Sequence, residues 1–96
     1  MKTGRVIGNI WATRKDEKLS GVKLLIVQPL DLVTGKSVGD PLVVADYIGA
    51  GEGERVIYTS GSSARKAAER DFVPIDATVV GIIDDQEIDP SLLENE

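Results

Sequence analysis

The sequence predicts a mostly β fold, a small, closed, OB-like barrel of five strands with one short helix. Five short segments rich in β-branched and aliphatic residues alternate with glycine-rich or charged turns. A single segment has the apolar spacing of a helix. The 96 residues contain no cysteine, so the chain must hold one small core by packing alone. Closing the sheet into a barrel removes the edges that such aliphatic strands would otherwise expose.

The predicted elements follow one another with short connections. In order they are strands over residues 4–13, 22–30, 42–48 and 55–60, a helix over 62–70, and a last strand over 75–83. Gly8 interrupts the first strand, which is typical of a β-bulge or of a close approach between backbones. In the second strand Leu25 and Val27 share one face, because side chains alternate along a strand. Pro29 belongs at the end of that strand or on an unpaired edge.

The connections and the helix have recognisable local signals. Residues 31–41 contain two glycines and a proline, which indicates a turn or a short hairpin. Ser62 or Ser63 can cap the helix, and its alanines recur on one face at helical spacing. With about two turns the helix is too short to be stable alone, so we expect it to pack on the sheet. Pro74 ends it before the last, buried strand.

The charge is unevenly distributed along the chain. The net charge is −5 at pH 7, and residues 84–96 hold six acidic and no basic side chains. We therefore divide the chain into a barrel domain over 1–84 and an acidic C-terminal tail over 85–96. The remainder is nearly neutral and the whole chain has four aromatic residues, so we expect no nucleic-acid partner. No aliphatic run approaches the roughly 20 residues that span a bilayer, so we expect no membrane partner and a soluble, cytoplasmic protein.

The residue types exclude several kinds of catalytic site. Without cysteine or histidine there is no thiolate nucleophile, zinc finger or Ser-His-Asp triad. The glycines of residues 49–53 are spaced G-x-G-x-G, and a strand follows where a phosphate site needs a helix N-terminus. Ser62 and Ser63 lack a histidine base, and the acidic residues of 84–89 lack the pattern of a calcium loop. We predict no catalytic, metal or cofactor site.

Asp46 and Asp76 are the carboxylates that need an explanation. Asp46 interrupts an aliphatic strand and Asp76 lies at the start of another, and a carboxylate beside buried strands needs hydrogen-bond partners, either within the subunit or across an interface. The residues taken alone indicate a binding or structural module without catalytic groups. One alternative is a monomeric OB-like module that binds a ligand or an oligonucleotide.

Three groups of motifs occur in a fixed order along the chain. They are GRVIG at 4–8 with LSGVKLLIVQPLD at 19–31, IGAGEGE at 48–54 with GSSAR at 61–65, and VPIDA at 73–77 with VGIID at 80–84. This order resembles that of the bacterial microcompartment vertex proteins, the pentamers of carboxysomes and ethanolamine-utilisation compartments. The resemblance extends over residues 4–84.

The resemblance implies a structural role and no enzyme activity. Members of this family form cyclic homopentamers that cap the vertices of a polyhedral shell in the bacterial cytoplasm. Hexameric shell proteins tile the facets, and a flat hexagonal sheet closes only where five-fold defects are introduced. The implied partners are therefore further copies of the chain and hexameric facet proteins, without a cofactor.

The resemblance also implies that two loops make inter-subunit or shell contacts. The candidate residues are Asp46, Gly49, Gly51, Gly53, Glu54 and Arg55 around the first loop, and Gly61, Ser62, Ser63 and Arg65 in the second. Glycines let backbones approach closely, and Arg65 offers a charge-assisted bond to a neighbour. Alternatively, these residues serve only the turn and helix cap of their own subunit. Arg55 stands where the family often carries Trp, and Trp11 is larger than the aliphatic residue often found there.

Overall fold

The computed structural model describes residues 1–11, 17–61 and 75–93 of the chain. The elements are β1 (Lys2–Ile10), β2 (Lys23–Pro29), β3 (Leu42–Asp46), β4 (Arg55–Ser60) and β5 (Ala77–Ile82), with 3₁₀ turns at Glu17–Leu19 and Pro90–Leu92. All five predicted strands are present, and their ends differ from the predicted ends by three residues or fewer. The predicted helix over 62–70 and most of the turn before β2 lie outside the described residues.

The five strands form a closed barrel in the order β1-β2-β3-β5-β4. Neighbouring strands pair antiparallel, except that β3 and β5 pair parallel through Ala45 and Thr78. Every strand therefore has two neighbours, although β3 and β5 pair at a single position. The predicted closed five-stranded barrel is confirmed.

Two glycines of β1 lie where it pairs with β2, one beside a bulge and one at a close contact. The register of β1 and β2 shifts between Val6 and Gly8, which confirms the predicted bulge. The tighter contact is at Gly4, where an added Cβ would lie 2.9 Å from the carbonyl oxygen of Gln28 and would overlap the Val27 side chain. Only glycine fits at that position without moving the backbone. Pro29 is the last residue of β2, as predicted.

The barrel interior holds a continuous apolar core. Its buried members are Val6, Leu25, Val27, Val44, Ala50, Val56, Tyr58, Ala77 and Val79. A smaller cluster of Val22, Ala45 and Ile75, joined by Leu19, Leu24 and Tyr47, packs separately. Leu25 and Val27 are fully buried, whereas Leu24 is half-buried, so the predicted alternation of β2 is confirmed. Burial also raises the pKa of the Tyr58 hydroxyl.

The segment after β2 forms the predicted turn and short hairpin. The Asp31 carboxylate accepts hydrogen bonds from the backbone N–H groups of Thr34 (2.8 Å) and Val33 (3.0 Å). These bonds, led by the one from Thr34, hold the pKa of Asp31 below its usual value. A bridge between Leu30 and Ser37 closes the hairpin. Among the described residues, no helix is both long and apolar enough to traverse a bilayer.

Candidate functional site

A buried aspartate organises the loop between β3 and β4, residues 47–54, which we call the glycine loop. Asp46 ends β3, and its carboxylate accepts backbone hydrogen bonds from Ile48 (2.9 Å), Gly49 (3.0 Å) and Ala50 (2.8 Å). The carboxylate therefore fixes the path of the chain that follows it. Gly49 has a φ of +104°, a conformation that favours glycine. The partners of Asp46 lie within the subunit.

Lys23 supports the same turn from the start of β2. Its Nζ donates to the carbonyl oxygen of Ala50 (2.7 Å) and lies 3.7 Å from Oδ2 of Asp46. The Asp46 side chain is completely buried, whereas that of Lys23 is 46% exposed. A buried carboxylate is tolerated when it is paired and hydrogen-bonded, and both conditions hold for Asp46.

The second half of the glycine loop is attached to β1. The carbonyl oxygen of Glu54 accepts from the Val6 N–H (2.9 Å), and the Gly53 N–H donates to the Val6 carbonyl (2.8 Å). Arg5 donates to the carbonyl oxygen of Gly53 (2.7 Å), and Asn9 donates to the Glu52 carboxylate (3.0 Å). These bonds make the loop a rigid extension of the barrel.

Within the loop, Glu54 closes a tight turn. Its Oε1 accepts from the Gly51 N–H (2.6 Å), while its own N–H donates to the Gly51 carbonyl (3.2 Å). Gly53 has a φ of +86°. Near its start the loop exposes Ile48, which is 49% exposed, and Gly49. A well-bonded loop with an exposed apolar side chain is suited to docking against another surface.

Arg55 connects the barrel to the segment that follows β5. Its guanidinium donates to Oε1 of Gln86 (3.1 Å), and Nε2 of Gln86 donates to the carbonyl oxygen of Leu32 (3.0 Å). The carbonyl oxygen of Arg55 accepts from the Ile83 N–H (2.9 Å). One glutamine thus bridges β4, the hairpin after β2 and the C-terminal segment.

The second predicted loop is described only at its first residue. Gly61 follows β4 with a φ of +68°, and its N–H donates to the carbonyl oxygen of Asp76 (2.8 Å). Ser62, Ser63 and Arg65 lie outside the described residues. Gly61 lies at the opposite end of β4 from Arg55, so β4 separates it from the glycine loop along the chain.

The sequence alone does not indicate four of the side chains that hold this region together. They are Arg5, Asn9, Lys23 and Gln86. Each acts through partners that are distant in the chain, and a local pattern therefore carries no signal for it. Among the described residues, no group of three or more acidic, histidine or cysteine side chains is placed to hold a metal ion.

The described surface carries many exposed apolar side chains. The large ones are Met1, Ile7, Trp11, Leu32, Val33, Val38, Val43, Ile48, Ile88, Leu92 and Leu93. Trp11, which is 88% exposed, lies beside a cleft of about 480 Å³ that Lys23 also lines. A second cleft of about 470 Å³, which we call the end cleft, is lined by Met1, Lys2, Thr3, Pro29, Leu30, Leu32, Val38, Gly39 and Tyr58. Such a surface is typical of a subunit that associates with other proteins.

Known proteins match nearly the whole chain. Residues 1–84 match the model of the family described as "Ethanolamine utilisation protein EutN/carboxysome". The "Bacterial microcompartment shell vertex protein GrpN" of Rhodospirillum rubrum is 50% identical over 86 residues, covering 88% of this chain and 93% of GrpN. The "Carboxysome shell vertex protein CcmL" of Gloeobacter violaceus is 40% identical over 93 residues, covering 93% and 88%. The "Bacterial microcompartment shell vertex protein EutN" of Salmonella typhimurium is 42% identical over 85 residues, covering 88% and 85%.

Solved structures show the same fold. The "GrpN pentameric microcompartment shell protein" of Rhodospirillum rubrum superposes with a TM-score of 0.82 at 46% identity, covering 92% of this chain and 99% of GrpN. The structure of Gloeobacter violaceus CcmL superposes with a TM-score of 0.86 at 39% identity, covering 93% and 91%.

Proposed function

The chain belongs to the EutN/carboxysome family of ethanolamine utilisation and carboxysome proteins, and we propose that it is a structural shell protein. Five copies form a ring, and the ring caps a vertex of a polyhedral bacterial microcompartment in the cytoplasm. The observation that carries this proposal is the likeness to the pentameric GrpN over 92% of the chain at 46% identity. The vertex names of the matched relatives favour this role over a monomeric OB-like binding module.

The closed barrel is physically suited to assembly into a ring. Because every strand already has two neighbours, the barrel offers little open sheet edge, and we expect association to use mainly loops and exposed side chains. A cyclic ring needs a heterologous interface, in which one face of a subunit contacts a different face of the next. The exposed apolar side chains supply surface that such an interface would bury.

We propose that the glycine loop is one of these contact surfaces. Asp46 and Lys23 fix it from within the subunit, so Ile48 and Gly49 are presented to a neighbour at little further cost in conformational entropy. Gly51, Gly53, Glu54 and Arg55 belong to the same proposed surface. The loop that begins at Gly61, with Ser62, Ser63 and Arg65, is proposed as a second contact.

The proposed role needs no catalysis and no cofactor. The matched relatives are named as shell vertex proteins, and a vertex plug acts through its shape. Hexameric shell proteins are the proposed facet partners, since a ring of five fills the defect where a hexagonal sheet turns a corner. The ring therefore completes the shell by geometry.

Native mass spectrometry of the purified full chain tests the proposal. We expect one main species with five times the subunit mass of 10.3 kDa. A monomer at micromolar concentration, or a ring of another order, would contradict it. A salt-dependent titration with single-stranded DNA tests the alternative function, because a monomer that binds the oligonucleotide would indicate the OB-like binding module.

A further inference from the structure

The segment after β5 leaves the barrel with its apolar side chains uncovered. We call residues 84–93 the C-terminal arm; every residue of it except Gln86 is exposed. Leu92 is 79% exposed, and Ile88 and Leu93 are also exposed. An arm that carries three uncovered apolar side chains has not found its packing partner in the single subunit.

The end of the arm is nevertheless ordered locally. Asp89 precedes the 3₁₀ turn Pro90–Leu92 and accepts hydrogen bonds from the N–H (3.0 Å) and the hydroxyl (2.6 Å) of Ser91. These bonds, led by the one from the Ser91 hydroxyl, lower the pKa of the Asp89 carboxyl. The turn holds Leu92 in a defined position near the end of the arm.

The end cleft is the uncovered apolar site at one end of the barrel. Leu30, Leu32, Val38 and Tyr58 provide apolar surface within a volume of about 470 Å³. Its charges come from the amino terminus of Met1 and from Lys2, and the described residues that line it carry no carboxylate. An occupant with apolar side chains and acidic neighbours would therefore complement it.

The arm of the same subunit does not fill this cleft. No described residue of the arm lines it, and both the arm and the cleft residues Leu32 and Val38 are exposed. Gln86 ties the start of the arm to its own barrel, because its side-chain amide is held between Arg55 and the carbonyl oxygen of Leu32. The two apolar surfaces are thus unfilled in one subunit and complementary in charge.

We propose that the C-terminal arm of one subunit docks in the end cleft of the next subunit of the ring. Leu92 and Leu93 enter the apolar cleft, and the acidic residues of the arm face the amino terminus and Lys2 of the neighbour. This inference rests on the proposed ring of five. An arm in a neighbour's cleft is a heterologous contact, and five identical contacts of this kind close a ring.

The length of the arm and its charge both favour a second copy as the occupant. Ten extended residues span at most about 36 Å, whereas the molecule is 23 Å across in its two shorter dimensions. The arm can therefore reach beyond its own barrel even when one turn shortens it. The same sequence supplies both the acidic arm and the basic rim, so every subunit carries both halves of the contact.

Cysteine cross-linking of the full chain tests this placement, because the native sequence contains no cysteine. The test variant is L92C/V38C, in which both altered residues are exposed and neither is part of the core. A short bis-maleimide should give a ladder of covalent species that ends at five subunits. The control variant is L92C/W11C, because the exposed Trp11 follows β1 at the end of the barrel opposite to the end cleft. This control should give at least tenfold less of the cross-linked multimers.

The outcomes separate this inference from the proposed function. The mass of the unaltered chain is measured beside the variants; if that chain is not pentameric, the proposed function itself fails. If the ring is present, a link within one chain would place the arm in its own cleft, and no link, or equal linking in the control, would place it elsewhere. Each of these results overturns the proposal. If L92C/V38C does not assemble, L93C/L32C provides the second pair.

The arm's contribution to assembly is measured with the double variant L92D/L93D. Two carboxylates in place of leucine would oppose entry into an apolar cleft, and we expect the ring to dissociate at a protein concentration about tenfold higher or more. L92M/L93M keeps both side chains apolar and should assemble like the native chain. Equal assembly of the two variants would contradict the docking of the arm.

Discussion

The glycine loop and the C-terminal arm both expose apolar side chains, but their own subunit holds them very differently. The Asp46 carboxylate, Lys23 and backbone bonds to β1 hold the loop. The arm is tied to the barrel through the side chain of Gln86, and its residues beyond that point are exposed. The loop is therefore preformed for contact, whereas the position of the arm depends on what it meets.

This contrast has consequences for stability and for assembly. Changes in the loop should lower the stability of the subunit and, through it, the assembly of the ring. Changes in the arm should alter assembly while the stability of the subunit stays nearly constant. Comparing unfolding free energies with oligomer masses separates the two effects, provided that the protein concentration is fixed.

The largest effect is expected at Asp46. Replacing it with alanine removes the acceptor of three backbone N–H groups and the carboxylate that faces the Lys23 ammonium. We expect a loss of about 3 kcal/mol in the free energy of unfolding, because the buried N–H of Ala50 and two partly buried N–H groups would lose their acceptor. Urea denaturation followed by circular dichroism measures it. Asp46→Asn keeps one acceptor oxygen and should lose about half as much.

A loss below about 0.5 kcal/mol for Asp46→Ala would contradict the contrast between a firmly held glycine loop and a loosely held C-terminal arm. The loop would then be held mainly by its attachment to β1, and Asp46 would have to be assigned another role. Its charge would then be the property to examine, by comparing the masses of the alanine and asparagine variants.

The next effect concerns the backbone of the loop itself. Gly53 has a φ of +86°, so Gly53→Ala places a Cβ in a conformation that disfavours it, and we expect a loss of about 1 kcal/mol. Gly51 is the matched control, since its φ is not positive. A Cβ there would lie 3.3 Å from a carboxylate oxygen of Glu54, a flexible side chain that can shift. The same urea titration should show a smaller loss for Gly51→Ala, and equal losses would contradict this explanation.

The sequence predicts the strands well, because the alternation of apolar residues is local. The position of Gly8 in a β-branched run predicts either a bulge or a close approach between backbones, and the register shift confirms the bulge. The sequence does not distinguish the close contact at Gly4 from an ordinary glycine in a strand. A glycine in a strand looks alike in sequence whether a neighbouring side chain blocks its Cβ position or leaves it open, and the pairing with β2 decides which.

The candidate site was only partly predictable, for a related reason. The turn at Asp46 uses partners two to four residues away, so an aspartate before a glycine-rich segment was a usable signal. Gln86 bonds to residues 31 and 54 positions away, and no local pattern indicates such a pair. Whether the glycine loop contacts a neighbour depends on a second copy, so that assignment stays a prediction.

The smallest effect on subunit stability is expected at Gln86. Gln86→Ala removes the bonds to Arg55 and to the Leu32 carbonyl, but the bond to Leu32 is exposed and the one to Arg55 only partly buried, so water can replace the lost partners. We expect the free energy of unfolding to change by less than about 0.5 kcal/mol. This lies well below the loss expected at Asp46, and the same urea titration measures both.

Gln86→Glu is the matched control for this variant. A carboxylate at that position still accepts from Arg55, as a charge-assisted bond, but can no longer donate to the Leu32 carbonyl. If the two variants are equally stable but differ in the mass of the assembled ring, Gln86 acts by directing the arm. If Gln86→Ala alone lowers the free energy of unfolding by about 1 kcal/mol or more, the arm is part of the folded barrel, and its contrast with the glycine loop fails.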